Sequence, residues 1–249
     1  MTIHREEIEL VEADEETVKE ISQMNTSADD MTHYLDSLSP EQMSAITEDL
    51  GAFQTLYSAM LASAELPQKT FAAKTRSGTV IGYVTVKGYE SEEPELQIEV
   101  APDYQHQGYG HEMLYRMLLQ IFVEAHAKIV LYRVRPDNMP SIRLVESFHG
   151  ILREPASEAE ALLLKSYQIR DYVFAHEFSM NNRDSLRKDR RCGCFYCGRI
   201  FDPAEIEERV ADTSGTAVCP YCGIDSVIGA YTGFPITQDF LRQMRDYWF

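Results

Sequence analysis

The stretch APDYQHQGYGHEML runs from Ala101 to Leu114. The segment before it, Glu95 to Val100, reads as a strand. The segment after it is helical in pattern, with Met113, Leu114, Met117, Leu118, Ile121 and Phe122 on one face. Gly108 and Gly110 stand where that helix begins. Glycine relieves a positive φ in any turn. A glycine bend at a helix N-terminus also presents backbone N–H groups at the positive end of the helix dipole, where a phosphate can be held. The flanking elements decide between the two readings.

Upstream, Ile3 to Val11 reads as a first strand and Glu15 to Met24 as an amphipathic helix. Asn25 to Asp30 reads as a polar loop. Ser39-Pro40-Glu41-Gln42 is a helix start, with serine as N-cap, proline at the first position and glutamine three after the cap. Helix is expected in pieces to about Leu66, with Gly51 as a break. Thr70 to Thr75 and Thr79 to Gly88 flank Arg76-Ser77-Gly78 and predict a hairpin. Downstream, Lys128 to Val134 predicts a buried strand and Asn138 opens a further helix. Ile151 to Arg153 and Ala161 to Ile169 read as the last two strands. There is no internal repeat.

This order, with a glycine bend between the fourth strand and the next helix, resembles the GNAT acetyltransferase superfamily over residues 2–169. Two motifs carry the resemblance. One is Gln105-His106-Gln107-Gly108-Tyr109-Gly110 after Val100-Ala101-Pro102. The other is Asn138-Met139-Pro140-Ser141 leading into Leu144-Val145-Glu146. The resemblance implies an α/β fold (the α+β GNAT arrangement, a mixed central sheet with flanking helices) and acetyl-coenzyme A as co-substrate. It implies that the N–H groups of Gln107, Gly108, Tyr109, Gly110 and His111 hold the pyrophosphate, with Gln105 shaping the bend. It implies further that Ile98, Glu99 and Val100 pair with the pantetheine arm, beside Asn138 and Ser141. The activity expected is acetyl transfer to a primary amine of a small molecule or protein. The alternative is a non-catalytic acyl-coenzyme A sensor or adaptor.

Amine acetylation is helped by a base for the amine and an acid for the leaving thiolate. Glu95 and Glu99 lie four apart on one strand, hence on one face, and both are candidates for the base. Many members of the superfamily carry a tyrosine seven residues after the asparagine. Here that residue is Val145, and the segment ends Phe148-His149-Gly150. The proton donor is then a water or another tyrosine, such as Tyr104 or Tyr132.

All five cysteines lie between Cys192 and Cys222. Cys194-Phe195-Tyr196-Cys197-Gly198 and Cys219-Pro220-Tyr221-Cys222-Gly223 are two C-x-x-C-G knuckles. Such a pair predicts a four-thiolate structural zinc site in a small zinc ribbon, with Cys192 outside it. A closed four-cysteine site leaves no position for substrate. Residues 178–249 resemble small bacterial cytoplasmic proteins, a resemblance that implies no function. Asp202-Pro203-Ala204-Glu205 predicts a helix start between the knuckles, and Thr237 caps a last helix. Two domains are therefore expected, 1–172 and 173–249.

The formal net charge is −17. Residues 1–50 hold 14 acids against Arg5 and Lys19. Such a body argues against nucleic acid or an anionic membrane as partner, despite the basic run Arg183 to Arg191. With no long apolar segment and no signal-peptide pattern, a cytoplasmic setting is expected. If the acidic field captures substrate, polyamines are better acceptors than neutral or anionic amines, and kcat/KM falls as salt rises. Initial rates over an amine panel at two ionic strengths check this.

Overall fold

The computed structural model describes residues 6–24, 31–48, 54, 66–207, 209–210 and 215–249. The chain falls into two compact units, Met1–Ile169 and Arg170–Phe249.

The first unit is built on a seven-stranded sheet of order β1-β2-β3-β4-β5-β7-β6. Its strands are β1 (Ile8–Glu12), β2 (Gln68–Thr75), β3 (Val80–Lys87), β4 (Glu95–Val100), β5 (Ile129–Val134), β6 (Ile151–Leu152) and β7 (Lys165–Arg170). The first four form an antiparallel run, and β4 to β5 is parallel. A parallel neighbour needs a crossover, and helix α4 (Tyr109–Leu119), with a π turn over Gln120–Glu124, supplies it. Further helices among the described residues are α1 (Glu15–Met24), α2 (Met31–Ser37), α3 (Pro40–Glu48), α5 (Met139–Ser147) and α6 (Glu158–Leu163).

The predicted apolar face of α4 is the buried one: Met113, Leu114, Met117 and Leu118 are fully buried, with Ile121 and Phe122 beside them. They meet a sheet whose centre is apolar on both faces; in β3 only Tyr83 and Lys87 are partly exposed. The Ser39 start forms as read. The Gln42 N–H donates to Ser39 Oγ at 3.2 Å, and the Ser39 N–H donates to Gln42 Oε1 at 2.8 Å. The expected loop at residues 25–30, the break at Gly51 and most of the helix beyond residue 48 lie outside the described residues.

One expected strand is corrected. Residues 161–169 are not a single strand, because Glu158–Leu163 is helical and β7 starts at Lys165. The reason is a second capping pair. Ser157 Oγ accepts from the Glu160 N–H (3.1 Å), and Glu160 Oε2 accepts from the Ala156 N–H (2.6 Å).

The second unit holds a three-stranded sheet of order β12-β8-β9 and a two-stranded pair β10-β11. These are β8 (Cys192–Cys194), β9 (Ile200–Phe201), β10 (Arg209–Val210), β11 (Thr216–Ala217) and β12 (Val227–Gly229). Two short helices, α7 (Asp171–Phe174) and α8 (Arg183–Leu186), precede them, and α9 (Gln238–Trp248) follows. Thr237 caps α9 as expected, its Oγ1 accepting from the Phe240 N–H. The buried Asn182 side chain donates to the carbonyls of Ser179 (3.0 Å) and Val227 (2.8 Å) and accepts from the Ala217 N–H (3.0 Å). It thereby ties three segments together. The helix expected from Asp202 is corrected to one 3₁₀ turn, Pro203–Glu205. Its capping box forms, but Ile206 turns extended and buries its side chain, which ends the turn.

Gly82 of β3 lies opposite Val100, where a Cβ would stand 2.4 Å from the Glu99 carbonyl oxygen and 3.2 Å from Met113 Cε. Gly82→Val is expected to cost about 1–3 kcal/mol of stability, read by denaturant unfolding.

Candidate active site

Strands β4 and β5 pair only at Glu95↔Leu131 and Leu96↔Tyr132. Both continue past that point, β4 to Val100 and β5 to Val134, without further pairing to each other. On its other edge β4 stays laddered to β3 as far as Gly82↔Val100. The parted strands line a cavity of about 1110 Å³. Backbone polar groups on a parted edge call for a hydrogen-bonding partner.

Alternation sorts the side chains of β4. Val100 Cγ2 lies 3.7 Å from where a Cβ on Gly110 would stand, so Leu96, Ile98 and Val100 face α4. Glu95, Gln97 and Glu99 therefore face the opposite side. Tyr132, paired with Leu96, shares the helix side.

The bend after β4 is a 3₁₀ turn, Pro102–Tyr104, followed by Gln105 to Gly108. The Gln105 side chain donates to the Val100 carbonyl at 2.9 Å and pins the bend to the strand end. Gly108 is the N-cap of α4 at φ 85°, the left-handed region that favours glycine. No side chain caps this helix. At Gly110 φ is ordinary, and a Cβ would meet Leu144 Cδ2 at 3.6 Å, an ordinary contact. The fold itself thus has room for a methyl group at Gly110. Gln105, Gly108, Gly110 and His111 line the cavity, and so does His106, a residue that the sequence reading did not assign. His106 sits at φ 58°, uncommon for a side chain with a Cβ. Gln107 and Tyr109 do not line the cavity: Gln107 Nε2 donates to the Asp103 carbonyl, and Tyr109 is buried with its ring edge-on to Tyr104.

Across the cavity, Asn138 caps α5 by accepting from the Ser141 N–H at 3.1 Å. Both residues line the cavity. The hydroxyls of Ser141 and Tyr132 are hydrogen-bonded at 2.7 Å. Val145 is fully buried, packed beneath Gly150, and presents nothing to the cavity.

Glu95 and Glu99 both line the cavity, in different settings. Glu95 is buried and bonded to Arg133 Nη1, with Lys87 Nζ at 3.9 Å. Its two oxygens are thus engaged by cations of the protein itself. Glu99 is half-buried.

A sequence profile of the acetyltransferase (GNAT) domain matches residues 7–150. The chain belongs to the GNAT family of acetyltransferases. It is an acetyltransferase, and its acyl donor is acetyl-coenzyme A. Among solved structures, this acetyltransferase is similar to spermidine N-acetyltransferase from Vibrio cholerae. In complex with CoA and spermine, that enzyme is 16% identical, with 67% of this chain and 97% of that chain covered and a TM-score of 0.47. Its dodecameric structure in an intermediate state is also 16% identical, with 68% and 97% covered and a TM-score of 0.48. No curated protein sequence matches the chain. No helix among the described residues is long and apolar enough to cross a membrane.

The second unit of the acetyltransferase carries a separate chemical centre. The sulfurs of Cys194, Cys197, Cys219 and Cys222 lie within 4.8 Å of one another. Cys194 and Cys222 are 3.6 Å apart, and Cys197 and Cys219 are 3.8 Å apart. The two knuckles repeat one backbone design. Cys194 N–H donates to the Arg199 carbonyl and Cys219 N–H to that of Ile224, both at 2.9 Å. Gly198 N–H then donates back to the Cys194 carbonyl and Gly223 N–H to that of Cys219. Both glycines sit at φ 75°. Cys192 stands apart, buried, its thiol directed at the Phe201 carbonyl (3.5 Å).

Removing the Glu95 charge would leave Arg133 and Lys87 without their shared acid in a largely buried setting. Glu95→Gln is expected to cost about 3 kcal/mol in chemical denaturation.

Proposed function

We propose that the N-terminal unit transfers acetyl from acetyl-coenzyme A to a primary amine across the gap between β4 and β5, with Glu99 as the base. The observation that carries this reading is the placement of the β4 edge, the glycine bend and the Asn138-Ser141 turn on one cavity. In it, the N–H groups of Gly108, Gly110 and His111, at the start of α4, hold the pyrophosphate. The edge from Ile98 to Val100 pairs with the pantetheine amides. Gly110 is small because the ligand approaches there, since the protein's own contacts do not require it. Glu99 faces away from α4, so it takes the proton of an amine entering from that opposite face. Glu95 holds the strands at their point of parting through Arg133 and Lys87.

The cavity walls carry Lys87, Arg133, Arg135 and Arg143 against Glu95 and Glu99. That excess of cations suits the phosphates of coenzyme A and gives no further reason for a polycationic acceptor. The reading is therefore a primary amine, and the amine panel settles its charge.

For the second unit the proposal is one structural zinc ion in a zinc ribbon, held by Cys194, Cys197, Cys219 and Cys222. The donor set fits. Zinc–sulfur bonds of about 2.3 Å in a tetrahedron place sulfurs about 3.8 Å apart, close to the spacings found. Zinc there supplies a cross-link between the knuckles and no chemistry for the acetyl group.

Gly110→Ala is expected to leave the melting temperature within about 2 °C and to weaken coenzyme A binding at least tenfold by calorimetry. Gly108→Val is expected to abolish binding. Unchanged affinity in both would remove the assigned loop, and absence of turnover over the amine panel would leave only acyl-coenzyme A binding. Elemental analysis of the reduced full chain is expected to give one zinc per chain. Cys197→Ser is expected to lose it and Cys192→Ser to keep it.

A further inference from the structure

The Tyr132–Ser141 pair is not accounted for by the cofactor loop or by the base. It sits on the α4 side of the parted strands, on the cavity assigned above to the pantetheine arm. Position and access differ between its two members. Tyr132 is only 3% exposed, fixed on β5 at the last residue that pairs with β4. Ser141 is half-buried, on the first turn of α5, its backbone anchored by Asn138. Both line the cavity.

We propose that Tyr132 is a positioning residue for the leaving thiolate: its hydroxyl donates to Ser141 Oγ, and this directs the serine's own proton into the cavity toward the coenzyme A sulfur. The inference rests on the acetyl-coenzyme A reading of this cavity. Two hydroxyls sharing one hydrogen bond use one proton between them, and the other points elsewhere. The deep member is almost wholly enclosed, whereas the shallow member is only half-buried and more open to the cavity. Burial raises the phenol pKa, as does the charge of Glu99, and the bond to Ser141 opposes them in part. The phenol therefore stays protonated through neutral pH and can serve as the donor.

The reaction balances without a proton lost from either hydroxyl. The amine nitrogen bonds to the acetyl carbon, the carbon–sulfur bond breaks, and its electron pair leaves with sulfur. The Ser141 hydroxyl donates a hydrogen bond to that thiolate. Glu99 takes the amine proton and passes it to water, and the sulfur takes one from water. A hydrogen bond to an ionised group is worth more than one between neutral groups, so the pair favours departure of the thiolate over the intact thioester. Val145 cannot do this, being apolar and buried.

The test uses the full chain with coenzyme A as the probe, and it needs no acceptor. The thiol of bound coenzyme A is titrated by its ultraviolet thiolate absorbance in wild type, Tyr132→Phe, Ser141→Ala and the double variant. The wild-type complex is expected to titrate about one pH unit below both single variants. The double variant should match the singles, since both remove the same hydrogen bond. With an acceptor from the panel, Tyr132→Phe is expected to lower kcat about tenfold and to leave KM for acetyl-coenzyme A within about twofold. A merely structural tyrosine would change stability and leave the titration of the bound thiol where it was. A thiol that titrates as in wild type in Tyr132→Phe overturns the proposal, and so does an additive double variant. If Tyr132→Phe does not fold, an unshifted thiol in Ser141→Ala overturns it alone. Wild-type protein that binds no coenzyme A overturns the reading of the cavity, and the inference with it.

Discussion

The parting of β4 from β5 after Leu96↔Tyr132 is the constraint on which the first unit depends. Inside a sheet, peptide groups are satisfied by the neighbouring strand, and a central strand that lets go of its neighbour leaves polar groups facing a gap. The fold can keep that gap because the strands are secured on either side of it. Below it, Glu95 ties together β3, β4 and β5 through Lys87 and Arg133. Above it, the Gln105 side chain fastens the bend to the end of β4. On the other edge of β4 the ladder to β3 runs the full length of the strand. The helix α4 that makes the crossover also starts beside the gap, with Gly108 as its N-cap, so one topological step gives both the opening and the helix end next to it.

The second unit depends on a different device. Its two knuckles each close with the same pair of backbone hydrogen bonds and the same left-handed glycine. At Gly223 a Cβ would meet nothing within 4 Å, so that glycine is demanded by backbone conformation and not by space. Repetition of one turn from two distant stretches brings four sulfurs together while the sheet β12-β8-β9 fixes the first knuckle through Cys192–Cys194. Asn182 adds a polar tie between β12 and β11.

Much of this was legible in the sequence, for reasons that differ by residue. The glycine bend, the Asn138 cap and the C-x-x-C-G pairs are local: the turn each needs is written into neighbouring residue types. The apolar face of α4 is a matter of period alone. The misread segment, Ala161 to Ile169, is apolar enough for either state, and the signal that decides it is the Ser157–Glu160 pair just upstream. The turn at Pro203 had its capping box in plain view. What stopped it was burial of Ile206, a tertiary event with no local mark. The setting of Glu95 was out of reach for the same reason. Lys87 and Arg133 are 8 and 38 positions away in the chain, and only sheet register brings both to one carboxylate. His106 and the Tyr132–Ser141 pair were likewise visible as residues and invisible as neighbours.

The lining of the cavity also bears on the order of events in turnover. No cysteine is among its described lining residues, and the five cysteines of the chain all lie between Cys192 and Cys222. The gap between β4 and β5 has two faces, one toward α4 and one away from it. On the acetyl-transfer reading proposed above, a donor on the first and an acceptor on the second are present together, and the double-reciprocal lines are expected to intersect instead of running parallel.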